Sequence, residues 1–397
     1  MSRAQLIESL NAAVVLARRD IALAAEDGRV RWAHISAETV RPFAEALLSN
    51  QAIAELQGQW YSLRRGAARL DLRSDAVYLI DRALDYDAAM IIDDLLRFCV
   101  DRTIELVSVR AVEGITVGAR VDLGDGFFIA PPSALPTVAE TRLVFSPNNV
   151  PKHGWGNPPT AAIGRTSICS VQLLPPTTDI MRFHASVDGD PEVDMEYALL
   201  AATLSSNGAP EFRQAYDVVT SVGWLGMACG TMGASESFPV RIPSPRPANE
   251  ELLPRLFQSL RKQKGRLNLA ISKLQSSRRR NSFAERAIDL GTCIEVLLMH
   301  GESNNTEIGY KIASRAAWLL GSTGTHRLEI FKRAQDLYKA RSTAVHNGVA
   351  PKIKGDPMGI YPALDSYDAL CAAAIINLAD RDEWPNWTSL VLDAEVS

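Results

Sequence analysis

An arginine and a histidine stand close together near the end of the chain, in Arg341-Ser-Thr-Ala-Val-His346, and Asn347-Gly348 follows directly. These two side chains could cleave an RNA phosphodiester without a metal ion or any other cofactor. An imidazole, with an ordinary pKa of about 6.5, can take the proton of a ribose 2′-hydroxyl or return one to the departing 5′-oxygen. A guanidinium stays charged at any workable pH and grips two non-bridging phosphate oxygens at once, stabilising charge that develops in the transition state. The pair alone is a weak signal, because both residue types are common.

The setting adds to it. Residues 326–345 place Leu328, Phe331, Ala334, Leu337, Tyr338 and Val345 at a spacing that suits one apolar helical face. Residues five apart on a regular helix point about 140° away from each other. Arg341 and His346 therefore share a face only if the last turn loosens. Asn347-Gly348 supplies an ending there, since both residues tolerate the left-handed conformation that closes helices. The expected result is a helix end presenting a proton donor beside a phosphate grip.

Three ordered stretches widen the signal: Ala287-Ile-Asp-Leu-Gly-Thr-Cys-Ile-Glu295-Val-Leu-Leu, Ala313-Ser-Arg-Ala-Ala-Trp-Leu-Leu-Gly321 and Leu337-Tyr-Lys-Ala-Arg341-Ser-Thr-Ala-Val-His346-Asn-Gly348. Through them the last third of the chain, residues 251–380, resembles the HEPN superfamily, most closely its Apea-like branch. The resemblance implies a small helical bundle that dimerises and brings two such motifs into one cleft. It also implies a metal-independent endoribonuclease in a toxin, antiphage or RNA-processing role, although other members have lost activity and serve as scaffolds. Position by position, Arg341 matches the motif arginine, His346 its histidine, and Glu295 the acidic residue on an earlier helix facing the motif. Ser342 departs from the pattern, since active members frequently carry Asn, Asp or His there.

By helical angle Glu295 lies at the edge of the apolar band Phe283, Ala287, Leu290, Ile294, Leu297 and Leu298. It could hold Arg341, orient His346, or pair with Arg315 as a buried ion pair. The expected RNA contacts are Arg278, Arg279, Arg280, Tyr338, Lys339, Ser342 and Asn347, with Tyr338 either core or a base-stacking surface. His300 and His326, near helix ends, read as caps or exposed residues rather than catalytic groups.

Charge distribution points the same way. The net charge of -4 hides a stretch, 251–354, with 19 Lys plus Arg against 8 Asp plus Glu, which leaves 23 basic and 38 acidic residues elsewhere. Such asymmetry is the footprint of a module that meets a polyanion, whereas the run Arg278-Arg279-Arg280 alone also reads as a solvated helical face. From Asp356 onward the chain is acidic, with only Arg381 opposing.

With 397 residues and 47% hydrophobic content the chain can bury substantial cores in two or three domains. Its five cysteines lie far apart, suggesting neither a zinc site nor a disulfide framework and fitting a reducing cytoplasm. Residues 2–25 are broken by Glu8, Arg18, Arg19 and Asp20, so they make no signal peptide, and no stretch is apolar enough to span a bilayer. A soluble cytoplasmic protein with no membrane partner is expected.

The clearest break is Phe238-Pro-Val-Arg-Ile-Pro-Ser-Pro-Arg-Pro247, whose four prolines favour an extended segment. The expected organisation is an α+β sensor or regulatory domain over 1–238, a Pro-rich linker over 239–252 and an all-α HEPN-like helical bundle over 253–397. Before the linker, helices are predicted over Gln5–Ala25, Thr39–Leu56, Ala88–Val100, Met195–Leu204 and Phe212–Met227. Strands are predicted over Ile104–Val109, Ile115–Val121, Ile163–Leu174 and Ile180–Val187, with a tight turn at Asp125-Gly126 before Phe127-Phe-Ile129. Residues 146–159, with His153 and Trp155, read as a surface connection more than a binding loop, and Gly223–Gly233 as a packed helix end. After the linker, helices are predicted over Leu253–Ser276, Phe283–His300, Thr306–Leu320, Thr325–Val345 and Leu364–Leu378.

The function expected is a regulated endoribonuclease that cuts RNA by 2′-hydroxyl attack to a cyclic phosphate, with a second copy of the chain as partner and a trigger at the N-terminal domain. The alternative is an inactive HEPN-like module that only dimerises and binds RNA or protein.

Overall fold

A computed structural model describes residues 1–24, 31–63, 66–136, 141, 144–145, 158–178, 191–225, 233–234, 244–302, 306–349 and 360–392. It has an N-terminal region of helices and sheets and a helical C-terminal part. Helices α1 (Arg3–Leu23), α2 (Ala37–Leu48), α3 (Gln51–Ala54), α4 (Leu72–Arg82) and α5 (Ala88–Asp101) come first. Strands β1 (Trp60–Leu63) and β2 (Gly66–Arg69) form a hairpin between α3 and α4. Ser2 and Ser36 cap α1 and α2 by accepting backbone N–H groups. The single helix expected over Thr39–Leu56 is two: α2 stops at Ser49, and the Asn50 side chain caps α3 by accepting from Ile53 N–H. Leu6, Leu10, Phe43, Leu47, Leu79, Ile91 and Leu95 bury one core, closed by Trp224, against which Tyr61 and Phe98 stand edge-on at 4.9 and 5.2 Å.

The remaining strands are β3 (Thr103–Glu113), β4 (Ile115–Thr116), β5 (Val121–Gly124), β6 (Phe127–Ala130), β7 (Ala161–Ser170), β8 (Gln172–Leu174), β9 (Glu211–Val219), β10 (Gly233–Ala234) and β11 (Arg246–Pro247). An antiparallel six-stranded sheet runs β10-β9-β3-β7-β6-β5, and β8 leaves it to pair with β1. Asp125 and Gly126 take φ of 53° and 79°, the left-handed pair a two-residue hairpin needs, and a Cβ on Gly126 would sit 2.3 Å from the Thr166 carbonyl oxygen. The helix expected over Phe212–Met227 is in fact the strand β9 as far as Val219, followed by a turn through Leu225. Its aromatic and β-branched residues Phe212, Tyr216, Val218 and Val219 pair along β3, and that pairing overrides a helical spacing. The strand expected over Ile180–Val187, residues 146–157 of the surface connection and residues 226–232 lie outside the described residues.

Val107, Val109 and Ala111 cover one face of the sheet with Phe128, Tyr216 and Val218, while Val112, Phe127, Ile129 and Ile163 face the other way. The register of β9 against β3 shifts by one residue between Arg110 and Val112, a bulge in the pairing. On the second face lies α6 (Pro191–Ser205), and beyond it the C-terminal helices α7 (Leu253–Lys262), α8 (Asn268–Arg279), α9 (Phe283–Leu298), α10 (Ile308–Leu320), α11 (Gly324–Asn347), α12 (Ile360–Ala379) and α13 (Trp387–Val391). One apolar cluster runs from Val112, Phe127 and Ile163 through Met195 and Ala198 to Phe257, Leu290 and Ile375. The expected boundary is therefore no gap in the core. Its C-terminal half is fastened: Arg246 and Pro247 pair with β4, and Asn249 N–H donates to the Ser205 carbonyl.

The helix expected over Leu253–Ser276 breaks where Lys264 and Gly265 adopt φ of 47° and 88°. Ser282 and Thr323 cap α9 and α11. The short helix α13, not expected, starts from Asn386, whose side chain accepts from Ser389 N–H. Among the described residues no helix is long and apolar enough to cross a membrane.

Arg278 fastens the C-terminal helices to the rest. Its Nε and Nη2 reach the two oxygens of Asp368 on α12 at 2.9 and 2.8 Å, and Nη1 donates to the carbonyls of Thr203, Ser206 and Gly208 at 2.6, 2.9 and 2.8 Å. Replacing it by methionine strands a buried carboxylate and three carbonyls. R278M should lose about 3–5 kcal/mol of stability in urea unfolding.

Asp75 is strained in the opposite sense. Burial in α4 pushes its carboxyl up to about 6, against an ordinary 3.8, although it accepts the Asp71 N–H. Its native form thus binds the proton more tightly than the unfolded chain, so this group lowers stability as pH rises from the ordinary carboxylate range through about 6. D75N, which can still accept that N–H, should melt a few degrees higher than wild type at neutral pH. The gain should shrink as pH falls through about 6, as calorimetry across that range would read.

Candidate active site

Arg341 is placed by the contact between α9 and α11. A Cβ built on Gly291 of α9 would lie 2.4 and 2.5 Å from Cβ and Cγ of Arg341, so only a glycine lets the arginine stem cross here. The stem then reaches Glu295, one turn further along α9, with Nη2 3.0 Å from Oε2. Both side chains remain half-open, at 28% and 30% exposure. The pair attracts without hydrogen-bond geometry: Arg341 Nε and Glu295 Oε2 have no hydrogen-bond partner among the described residues.

The pair borders an open cleft of about 360 Å³. Thr292, Glu295, Val296 and Met299 line it from successive turns of α9, Arg341 from α11, and His300 from just beyond the end of α9. Of the roles open to Glu295, the structure realises the grip on Arg341. Arg315 pairs instead with Glu302 at 2.6 Å.

His346 does not join them. Helix α11 stays regular through Asn347 and closes on Gly348, whose φ is 63° and whose N–H donates to the Ala344 carbonyl at 3.0 Å. The ending is the expected one, but the loosened last turn that would bring His346 beside Arg341 is absent, because left-handed geometry begins only at Gly348. The 140° separation of a regular helix remains, and His346 is exposed outside the cleft. It falls in line with Lys332 and Lys339, each seven residues apart, so the three share one exposed stripe of α11. Neither lysine has an ion pair among the described residues.

The arginine run is corrected. Arg278 is 5% exposed and saturated by Asp368 and three carbonyls, and Arg279 binds Glu211 and the carbonyls of Ala209 and Pro210. Arg280 shares the buried Asp289 with Lys273. Arg278 and Arg279 are spent on carboxylates that lie elsewhere in the sequence, so neither is a surface phosphate contact, while Arg280 stays 45% exposed beside Asp289 and Glu285. Tyr338 packs across Gly309 of α10, where an added Cβ would lie 2.8 Å from its ring, the core alternative rather than the stacking one. Ser342 is half-buried, while Lys339 and Asn347 are exposed.

No protein-family model, curated protein or solved structure matches this chain.

A larger recess, about 610 Å³, opens among the N-terminal helices between Trp32, Val40, Arg41, Arg73 and Val77. It brings no imidazole to its apolar walls. Gly291, which seats Arg341, and the cleft residue Thr292 carry no role in the sequence reading, and His300 reads there only as a cap or exposed residue. A glycine one turn before Glu295 was the signal available for the first, as a mark of close helix approach.

Gly291→Ala tests the seating. At an open helical position the change would stabilise by up to ~1 kcal/mol. Here the added methyl should instead cost about 1–3 kcal/mol, measured by urea unfolding, as α11 is pushed off α9.

Proposed function

We propose that the C-terminal helices form a HEPN-type endoribonuclease module that cuts RNA without a metal and acts as a pair of chains. The observation that carries this reading is the Arg341–Glu295 pair, half-exposed on an open cleft, with Arg341 on the helix whose end presents His346. Arg341 grips the scissile phosphate, and Glu295 keeps the guanidinium extended over the cleft. The 2′-oxygen gives up its proton to a base and bonds to phosphorus. The bond from phosphorus to the 5′-oxygen breaks, and an acid protonates that oxygen, leaving a cyclic phosphate and a 5′-hydroxyl. His346 carries one of these transfers. DNA is spared for want of the attacking hydroxyl.

Helix geometry supports pairing. One regular helix cannot turn Arg341 and His346 toward the same phosphate, so a second copy supplies His346 across a two-fold axis. Lys332 and Lys339, in line with His346, offer the approaching strand cations not consumed by ion pairs. The N-terminal region, locked to the helices through Arg278, serves as the restraint or trigger sensor, in a toxin or antiphage role in the cytoplasm.

A binding-only module is the second reading, favoured by the position of His346 outside the cleft of its own chain. H346A separates the two. The ribonuclease reading expects RNA cleavage to fall about 100-fold or more with RNA affinity kept. Cut ends appearing at the wild-type rate would rule it out. Growth arrest on expressing wild type but not H346A should accompany the loss.

A further inference from the structure

The mouth of the cleft holds a second imidazole to which the resemblance gives no role. His300 lies two residues past the end of α9 and lines the same cleft as Thr292, Glu295 and Arg341. An exposed histidine at a helix end is ordinarily free to sample rotamers, and this one is held. Its ring stacks on Trp384 with centroids 4.3 Å apart and planes 19° from parallel. Trp384 in turn carries the Arg266 guanidinium over its face, 5.1 Å from the ring centre. Arg266 is fixed by the carbonyls of Leu378, Arg381 and Asp382, at 3.0, 2.8 and 3.0 Å. From the other side, Arg315 Nη1 donates to the Leu298 carbonyl at 2.6 Å and holds the last turn of α9 in place.

The charges nearby are largely spoken for. Glu302 is shared between Arg315 and Lys311, and Asp382 and Glu383 act on Arg266. Glu295 and Arg341 are the charged groups that line the cleft with His300. A proton-carrying ring fixed in position beside a phosphate grip is the preorganisation that general acid–base catalysis needs.

We propose that His300 is a catalytic proton-transfer residue of this cleft. A single chain then brings imidazole, guanidinium and carboxylate to one scissile phosphate. This rests on the ribonuclease reading. His300 performs one of the two transfers, taking the proton from the 2′-hydroxyl or delivering one to the 5′-oxygen as the bond to phosphorus breaks. His346 of a second copy performs the other, so protons balance over the cycle once the two groups exchange them with water.

The test uses the full chain and an oligoribonucleotide that wild type cuts, followed in single turnover between about pH 5 and pH 9. H300F keeps an aromatic ring for Trp384 to stack on and removes the proton. It should melt like wild type, cleave about 100-fold more slowly or worse, and turn a two-limbed pH dependence into a one-limbed one. H300Q is run beside it under the same criteria and decides the matter should H300F unfold early. If wild type cuts RNA and these variants cut equally fast with both limbs intact, the role of His300 is overturned and the ribonuclease reading stands. If purified wild type cuts no RNA at all, both fall together.

Discussion

Arg278 makes its contacts in two directions at once, and the position of the candidate site depends on that. Toward the C-terminal helices it closes a two-pronged pair with Asp368 on α12, and toward the sheet region it satisfies carbonyls at the end of α6 and in the turn that follows. Those carbonyls belong to the end of a helix, where the last turn leaves acceptors without intrahelical donors. A planar, always charged group with five N–H donors can answer a carboxylate and several carbonyls together, which lysine could not. Because Arg278 and Asp368 are 5% and 10% exposed, removing either leaves a charge in a medium that cannot solvate it. The joint thereby fixes α8 and α12, and α9, packed against both, in one orientation to the sheet.

The same logic accounts for part of the positive charge in the last third of the chain. Arg255 meets Asp380, Arg261 meets Asp125 and Asp194, Arg279 meets Glu211, and Arg286 meets Asp365. Each partner lies outside residues 251–354. A local surplus that looks like a surface made for a polyanion is in part the basic side of an intramolecular fit. Several of these pairs are exposed and individually weak, so they set orientation more than stability. Around the motif, the cations left for an external phosphate include half-exposed Arg341, with Lys332 and Lys339 on the outer face of α11.

Local chemistry was legible where one residue decides the backbone. Gly348 announces a helix end and Asp125-Gly126 a hairpin, because each effect is confined to a few neighbouring residues. The pairing of Glu295 with Arg341 was partly legible too, since helical angle put the carboxylate at the edge of an apolar band. Failures came where a distant partner decides. Residues 212–219 have a spacing that suits a helix, and only β3 beside them makes them a strand. The partners of Arg278 and Arg279 are far along the chain, and so is Trp384, without which His300 looks like any exposed helix-end histidine.

Displacement at phosphorus places the attacking and leaving oxygens roughly in line, on opposite sides of the phosphate. A base and an acid must then also approach from opposite sides, with the guanidinium on the oxygens between them. No single regular helix meets that demand, since a residue five positions from Arg341 is carried about 140° around the axis. Loosening α11 would meet it at the expense of backbone hydrogen bonds, and the chain instead keeps its bonds to Gly348. The remaining ways to surround a phosphate are to borrow a group from a neighbouring element or from a neighbouring molecule. The groove between α9 and α11 opens on one side to His300 and on the other to solvent, so a site built there is half-lined by its own chain.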